Sequence, residues 1–332
     1  MYVRGGLNPR RLSRGSWRLF LVAIVLSLAV YLIHDRLGFQ ALEVPALPVA
    51  TIGIVVSVFL GFVSASAYAR WWEARTVWGE IINASRSWAN SCLTLTDPVA
   101  GAEGAPDEVA LLARRHLAWV NALCFQLRPM PTPAGTEETG AAVPGSRDRY
   151  LSFLSEQEAD TLAGKANPAV HILRLQGEAL RRMRRAGQLD DYRLVELVRA
   201  LSGLYDCQGK CERIRNTPFP EQFTYFGRLF TWMLIVLLPF AFVDAFVRLA
   251  DNYPVMSVVA RDYIYALVPF NTLISWVFFL LQRVSESCSD PFDGKPTDVP
   301  IAALTRLIEI DLLQMLGEDA PKPCQPVEGA LY

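Results

Sequence analysis

Ile54, Val58 and Phe62 recur every four residues in a stretch with no charged side chain between Glu43 and Arg70. That spacing puts them on one face of a helix. Their chemistry is exclusion. Bulky apolar side chains gathered in a narrow passage resist wetting and can bar ions. One position earlier runs a second stripe, Gly53, Ser57 and Gly61. Side chains this small let helix backbones approach closely in lipid. A bulky stripe beside a small one fits lipid, a neighbouring helix or the wall of a pore. Periodicity alone favours the packing face, since every membrane helix carries such stripes.

Groups able to do covalent or metal chemistry are sparse. Asp290, Asp293 and Asp298 cluster around Gly294. Oxygen-rich loops can hold Ca²⁺, but the run lacks the twelve-residue helix-loop-helix pattern and Lys295 intrudes. A turn followed by a helix, with Asp298 as N-cap and Pro300 in the first turn, is the plainer reading. The six cysteines are scattered. Cys207 and Cys211 share a helical face, yet His116 and His171 do not supply two further zinc ligands at suitable spacing, so free thiols are expected. There is no HExxH, GxSxG or phosphate-binding loop, and no catalytic grouping. The basic run Arg181, Arg182, Arg184 and Arg185 reads first as a solvated helix face, and second as a means of holding anions.

The elements that position these residues are helices. The chain has 332 residues, 52% of them hydrophobic, and a net charge of -1. This balance argues against disorder and against nucleic-acid binding. Apolar residues concentrate in the first seventy positions and from about Phe223 to Leu281. Four membrane spans are expected: Trp17 to Ile33, the Ile54 stretch, Tyr225 to Phe246 and Tyr263 to Leu281. Arg228 and Asp244 lie near span ends, and the lack of other intramembrane titratable groups argues against proton-coupled transport. A cleaved signal peptide is the rival reading of the first span, but no small-x-small site follows it. Arg4, Arg10, Arg11, Arg14 and Arg18 before or at its start predict a cytoplasmic N-terminus. Four spans then return the C-terminus to the same side. Trp71, Trp72 and Trp78 are expected near the inner interface.

Between the span pairs, helical periodicity predicts a continuation of the second span to about Leu95, then helices over Pro106 to Leu127, Tyr150 to Leu162, Pro168 to Ala186 and Leu189 to Ile214. Asn167 and Pro168 start the helix over Pro168 to Ala186 and Gly187 ends it. The Pro- and Gly-rich run after Leu127 reads as a loop. A last helix is expected from Asp298 to about Leu316, with Ile301, Leu304, Ile308 and Leu312 buried, then a loose tail.

Several of these pieces together resemble the bestrophin family of ion channels, in its bacterial branch. They are Arg14-Gly15-Ser16, the GIVVSVFLGF run, Ala69-Arg70-Trp71-Trp72-Glu73-Ala74-Arg75 with Trp78-Gly79, and Thr217-Pro218-Phe219-Pro220. Asp290-Pro291-Phe292, Asp298-Val299-Pro300 and the run from Leu307 to Leu313 complete the set. The resemblance implies an all-α homopentamer around one pore, with four transmembrane helices per subunit and a helical cytosolic domain. It implies a neck lined by Ile54, Val58 and Phe62, with Val58 replacing a larger residue. It implies a second, cytosolic constriction near Tyr192, where a phenol would be a departure. In animal members an acidic run clasps calcium. Here Lys295 and Thr297 stand where acids would be, which leaves Asp290 and Asp298 as the matching carboxylates and argues against a calcium site. No other cofactor is expected.

The resulting organisation is a basic N-terminus over 1–16, spans one and two over 17–70 and a helical cytosolic domain over 71–224. Spans three and four follow over 225–282, a turn and helix over 283–318, and a tail over 319–332. The expected function is passage of small monovalent ions across an inner membrane, the protein's partners being itself, the ions and lipid. Anions are favoured by the animal relatives and cations are open in the bacterial branch. Glu43 would favour cations and the Arg181 to Arg185 run anions. A membrane-anchored helical scaffold without ion flux is the alternative, and a membrane enzyme the weakest reading.

Overall fold

The computed structural model describes residues 9–38, 44–97, 108–128, 144–252, 264–327 and 329–331, with backbone alone at 9–15, 35–36, 249–252 and 264. Glu43, Pro98, Pro106, the loop over 129–143 and the side chains of Arg4, Arg10, Arg11 and Arg14 lie outside what is described. Among the described residues the chain is helical, with one isolated bridge between Val327 and Ala330 and no strand. It divides into two units.

The first unit holds α1 (Pro9–Tyr31) with a π turn at Leu32–Arg36, the first part of α2 (Ala46–Leu95), α8 (Glu221–Asn252) and α9 (Ile264–Cys288). All four helices are long and apolar enough to cross a membrane. Helix α1 packs on α9, α9 on α8, and α8 on α1. A buried polar cluster holds α1 to α9. The Asn271 amide donates to Ser27 Oγ at 2.8 Å and to the Ala23 carbonyl at 3.3 Å. Ser27 itself donates to the Ala23 carbonyl at 2.7 Å. In lipid such bonds fix register, because an unpaired amide there is costly. Pro239 and Pro269 sit inside α8 and α9, a placement that membrane helices tolerate.

The second unit holds the rest of α2 from Arg70, with α3 (Glu108–Leu127), α4 (Arg147–Leu151), α5 (Glu156–Leu162), α6 (Pro168–Arg185), α7 (Asp191–Asn216) and α10 (Ile301–Met315). Helix α3 is its centre, touching α4, α6, α7 and α10. Its buried residues, Leu112 to Leu127, occupy nearly every face, as a fully enclosed helix requires. Trp78, Trp88 and Trp119 are fully buried in this core. Large buried side chains of this kind each stabilise the fold by about 1.5–3 kcal/mol or more. His116 lies between Trp88 and Trp119, and burial pushes it down to about 3, so it is neutral. Ser85 donates to the Ile81 carbonyl and therefore accepts from His116 Nε2 at 2.9 Å.

Local signals account for the helix starts. Asn167 accepts from the Val170 N–H, Pro168 occupies the first helical position, and Gly187 follows the end of α6 with φ +79°. Asp190 accepts from the Arg193 N–H and opens α7. The helix expected over Tyr150 to Leu162 is instead two short ones. Ser155 and Glu158 form a capping box that begins α5, and the chain between Leu151 and Ser155 is turn.

Other differences have similar causes. Asp298 is not the N-cap of the last helix. Helix α10 starts at Ile301 after Pro300, with no side-chain cap, while Asp298 accepts from the Lys295 N–H at 2.9 Å. Leu304 is only partly buried, while Ile301, Ile308 and Leu312 are buried. The tail after Asp319 is not loose throughout. Ala320 packs against the core, and Ala330 is buried.

A buried ionic group sits at the centre of this unit. Glu309 is fully buried and accepts from Arg149 at 3.1 Å through two nitrogens, from Asn121 at 2.8 Å, and pairs with Arg306 at 2.8 Å. The Asn121 carbonyl oxygen in turn accepts from the Gly145 N–H. One carboxylate therefore ties α3, α4 and α10 together.

Candidate functional site

Helix α2 offers two opposite faces. Val49, Val56, Leu60 and Val63 are buried, and this side packs against Phe230 and Leu234 of α8 and Phe278 of α9. Gly227 on α8 leaves room for this approach, since a Cβ there would meet Leu60 at 3.5 Å. The Ser64 and Ser285 hydroxyls share a hydrogen bond between α2 and α9. On the other side, Ile54, Val58 and Phe62 are 66%, 70% and 60% exposed. Two residues along a helix turn the side chain through about 200°, which is why Val56 is buried while Ile54 and Val58 are not. The chain thus leaves its three bulky stripe residues uncovered. The Phe62 ring lies 6.1 Å from the Phe223 ring between centroids.

The small stripe lies at the border between these faces. A Cβ on Gly53 would meet Leu234 at 3.8 Å, so that glycine faces α8. A Cβ on Gly61 would meet nothing within 4 Å. Ser57 is exposed and donates to the Gly53 carbonyl at 2.8 Å. Within the chain it is the Val56–Leu60–Val63 side that packs, and the small stripe contributes one residue to that packing.

Further along α2, from Arg70 on, polar residues tie the helix to other parts of the second unit, to which this stretch itself belongs. Arg70 donates to the Ile214 carbonyl and Glu73 pairs with Arg213. Glu80 pairs with Lys210 at 2.7 Å, and the Trp71 indole donates to the Thr297 carbonyl at 3.1 Å. Trp72 is exposed, as an interfacial ring would be. Trp78 is not interfacial, because it stands with Val77 and Ile81 in the core.

Tyr192 is the second residue of α7 and is 88% exposed. Val195 and Val198 continue an exposed apolar edge beyond it. The basic run at the end of α6 is largely exposed, and Arg184 pairs with Asp191 at 2.6 Å. Hydrogen bonding to Arg184 holds the Asp191 carboxyl below the usual carboxylate range.

The acidic turn is built around cations of the protein itself. Asp293 pairs with Lys295 at 2.9 Å and with Arg215 at 3.1 Å. Asp298 is almost fully buried, and burial pushes it up to about 6 despite its bond from the Lys295 N–H. Asp290 is partly exposed and Asp298 is not, so the two carboxylates differ in access. No group of three or more His, Cys, Asp and Glu poised for a metal occurs among the described residues. A protonatable, enclosed Asp298 beside a lysine does not fit a calcium cage of six to eight oxygens.

One residue of the α2 site has no local signal in the sequence. Asp244, near the end of α8, accepts from the Ala46 N–H at 3.0 Å and so caps the start of α2. Its presence within an apolar helix is the trace it leaves.

Four membrane-length helices, one of them carrying an uncovered apolar stripe, define a helical membrane protein. The chain belongs to the bacterial and fungal bestrophin family, whose family model matches residues 15–314. It is 30% identical over 298 residues to the voltage-dependent anion channel-forming protein YneE of Salmonella typhi, covering 90% of this chain and 86% of that one. The protein of the same name from Escherichia coli K12 is 30% identical over 309 residues, covering 92% and 88%. The fold is similar to the crystal structure of a bacterial bestrophin homolog from Klebsiella pneumoniae. The TM-score is 0.71 at 24% identity, over 90% of this chain and 98% of that one.

Proposed function

We propose that this chain is one subunit of a homopentameric channel that passes small monovalent ions through an apolar neck in an inner membrane. The observation that carries the reading is the exposed stripe Ile54, Val58 and Phe62 on a helix whose opposite face is fully packed. Five copies around an axis would bury that stripe as three stacked rings. A dry, narrow ring sequence gates ions without any charged filter. Gly53, Ser57 and Gly61, mostly uncovered within the subunit, would let neighbouring α2 helices approach. Tyr192 forms a second, cytosolic constriction in this reading.

The N- and C-termini lie in the cytoplasm, as the basic N-terminus and an even number of spans require. The helical region over 71–224 is the cytosolic domain and 283–318 returns to it. Anions are the favoured ions, supported by the channel names of the relatives. The channel works without calcium, supported by the cation-paired acidic turn, and it catalyses no reaction.

Reversal potentials of purified protein in bilayers with asymmetric KCl test this directly. A reversal at the chloride potential is expected. A reversal at the potassium potential would reverse the selectivity, and no conductance from intact oligomers would defeat the channel reading. Native mass in detergent should equal five subunits.

A further inference from the structure

The end of α6 is basic, with Arg181, Arg182, Arg184 and Arg185 flanking the buried Met183. These arginines differ in what they meet. Arg184 pairs with Asp191 at 2.6 Å. Arg181, Arg182 and Arg185 are exposed and meet no carboxylate among the described residues. The acids around them are committed elsewhere. Glu178 pairs with Arg174 at 2.8 Å, and Asp190 with Arg193 at 3.4 Å. Asp97, whose N–H donates to the Gln188 carbonyl just past α6, is held by Arg193 at 2.6 Å.

Nor does the helix end need these side chains. Its last carbonyls already accept from the backbone that follows. The Arg182 carbonyl accepts from the Ala186 N–H at 2.9 Å, that of Met183 from Gln188 at 3.0 Å, and that of Arg184 from Gly187 at 3.2 Å. Spacing makes the cluster unfavourable in itself. Arg185 stands four residues from Arg181 and three from Arg182, so like charges face each other on one side of the helix. Earlier in the same helix, Arg174 and Glu178 use that spacing for an opposite pair. A face meant only for solvent mixes signs in this way. Guanidinium groups without acids are instead balanced by anions drawn from solution.

Their place gives those anions a use. The Arg184–Asp191 pair fastens the end of α6 to the first residue of α7, and Tyr192 follows it, 88% exposed. The cluster and Tyr192 therefore lie close together on the second unit.

We propose that Arg181, Arg182 and Arg185 gather small inorganic anions at the cytosolic mouth of the channel and so raise the current that they carry. This rests on reading Tyr192 as the cytosolic constriction, and adds to it a device that sets which sign of ion waits there. A guanidinium is always charged and only weakly hydrated, so the device works across the physiological pH range.

The probe is chloride, with two readouts. The first is the NMR line width of chloride with purified oligomer, which broadens as the ion exchanges with a protein site and needs no flux. The second is chloride current across bilayers. The cluster variant is Arg181→Gln, Arg182→Gln and Arg185→Gln together. Its control is Arg86→Gln, Arg114→Gln and Arg174→Gln, which removes the same charge from arginines of the same unit that have acid partners. Size-exclusion chromatography checks that both keep their assembly. In about 0.05 M KCl, where the Debye length exceeds about 10 Å, the cluster variant should lose at least about half of the broadening and of the current. In about 1 M KCl the Debye length falls to about 3 Å, and the difference in current should vanish. The control should match the wild type, and lysine at all three cluster positions should keep most of both signals. Broadening and low-salt current left intact by the cluster variant overturn the proposal. So does an equal loss in the control, which would make net charge responsible. Cluster-dependent broadening in a protein that carries no current would refute the channel and leave the anion site standing.

Discussion

The Asp244 carboxylate accepts a hydrogen bond from the Ala46 backbone N–H at 3.0 Å, so the far end of α8 caps the first turn of α2. The two residues are 198 positions apart. The cap satisfies one of the orphan donors of the helix that carries the apolar stripe, and places a negative charge at its positive end. The same carboxylate accepts from Arg248 at 2.7 Å, but Arg248 is largely exposed and that pair adds little.

Asp244→Ala should therefore destabilise the protein by about 1–2 kcal/mol, read as thermal unfolding in detergent. Asp244→Asn keeps an acceptor at the cap and should recover most of the loss. Equal losses in the two variants would show that the charge, and not the acceptor, secures α2.

Val58→Ala should raise single-channel conductance or open probability. Val58 is 70% exposed in the chain, so its truncation leaves no cavity in the core and the fold of the chain should be unaffected. Unaltered currents from a correctly assembled variant would return the stripe to a packing role.

Glu309→Ala should be severe. It leaves the partly buried guanidinium of Arg149 and the buried one of Arg306 without their carboxylate, a loss of about 3–5 kcal/mol. Arg174→Ala breaks an exposed pair with Glu178 on α6 and should change stability by less than about 0.5 kcal/mol. Denaturation midpoints of the two variants side by side test the contrast.

Acid should act on Asp298 in a defined direction. Its folded pKa is about 6, above the ordinary value of 3.8. The folded state thus holds this proton more tightly than the unfolded chain does. The penalty for its charge is fully present above pH 6 and is relieved as pH falls toward 4. His116 works the other way. Its folded pKa is about 3 against 6.5, so unfolding takes up a proton and stability falls as pH drops below 6.5. Comparing the wild type with Asp298→Asn cancels the histidine. The difference in thermal midpoint should move in favour of the wild type as pH is lowered from 6 to 4, and a pH-independent difference would contradict the burial of that carboxyl.

Much of the helical order was readable because its signals are local. Asn167, Pro168 and Gly187 bound α6, and the absence of charge from Val44 to Ala69 marks a long apolar helix. The family resemblance rested on such local runs. What escaped was set by competition or by distance. Asp298 has the sequence context of a helix cap, yet the turn at Gly294, with φ +83°, brings the Lys295 N–H to it first. Trp78 follows two tryptophans that suit an interface, but its phase with Val77 and Ile81 is that of the core. The Ser155–Glu158 capping box was legible within the stretch read as one helix, and marks the break. Nothing near Ala46 announces Asp244.

The hydrogen bond between Asn271 and Ser27 has a consequence for how the protein is made. Ser27 leaves the ribosome 244 residues ahead of its partner, an interval of roughly 12 to 50 seconds at about 5–20 residues per second. Over that interval the Ser27 hydroxyl is already satisfied by the Ala23 carbonyl on its own helix. Helix α1 can wait in lipid without an unpaired donor. The amide of Asn271 finds its acceptors on α1. The first helix is thus a resident template and α9 the latecomer that must dock on it, so a truncation that removes α9 should leave an N-terminal helix that inserts and keeps α8 as a neighbour but loses its polar tie to the bundle.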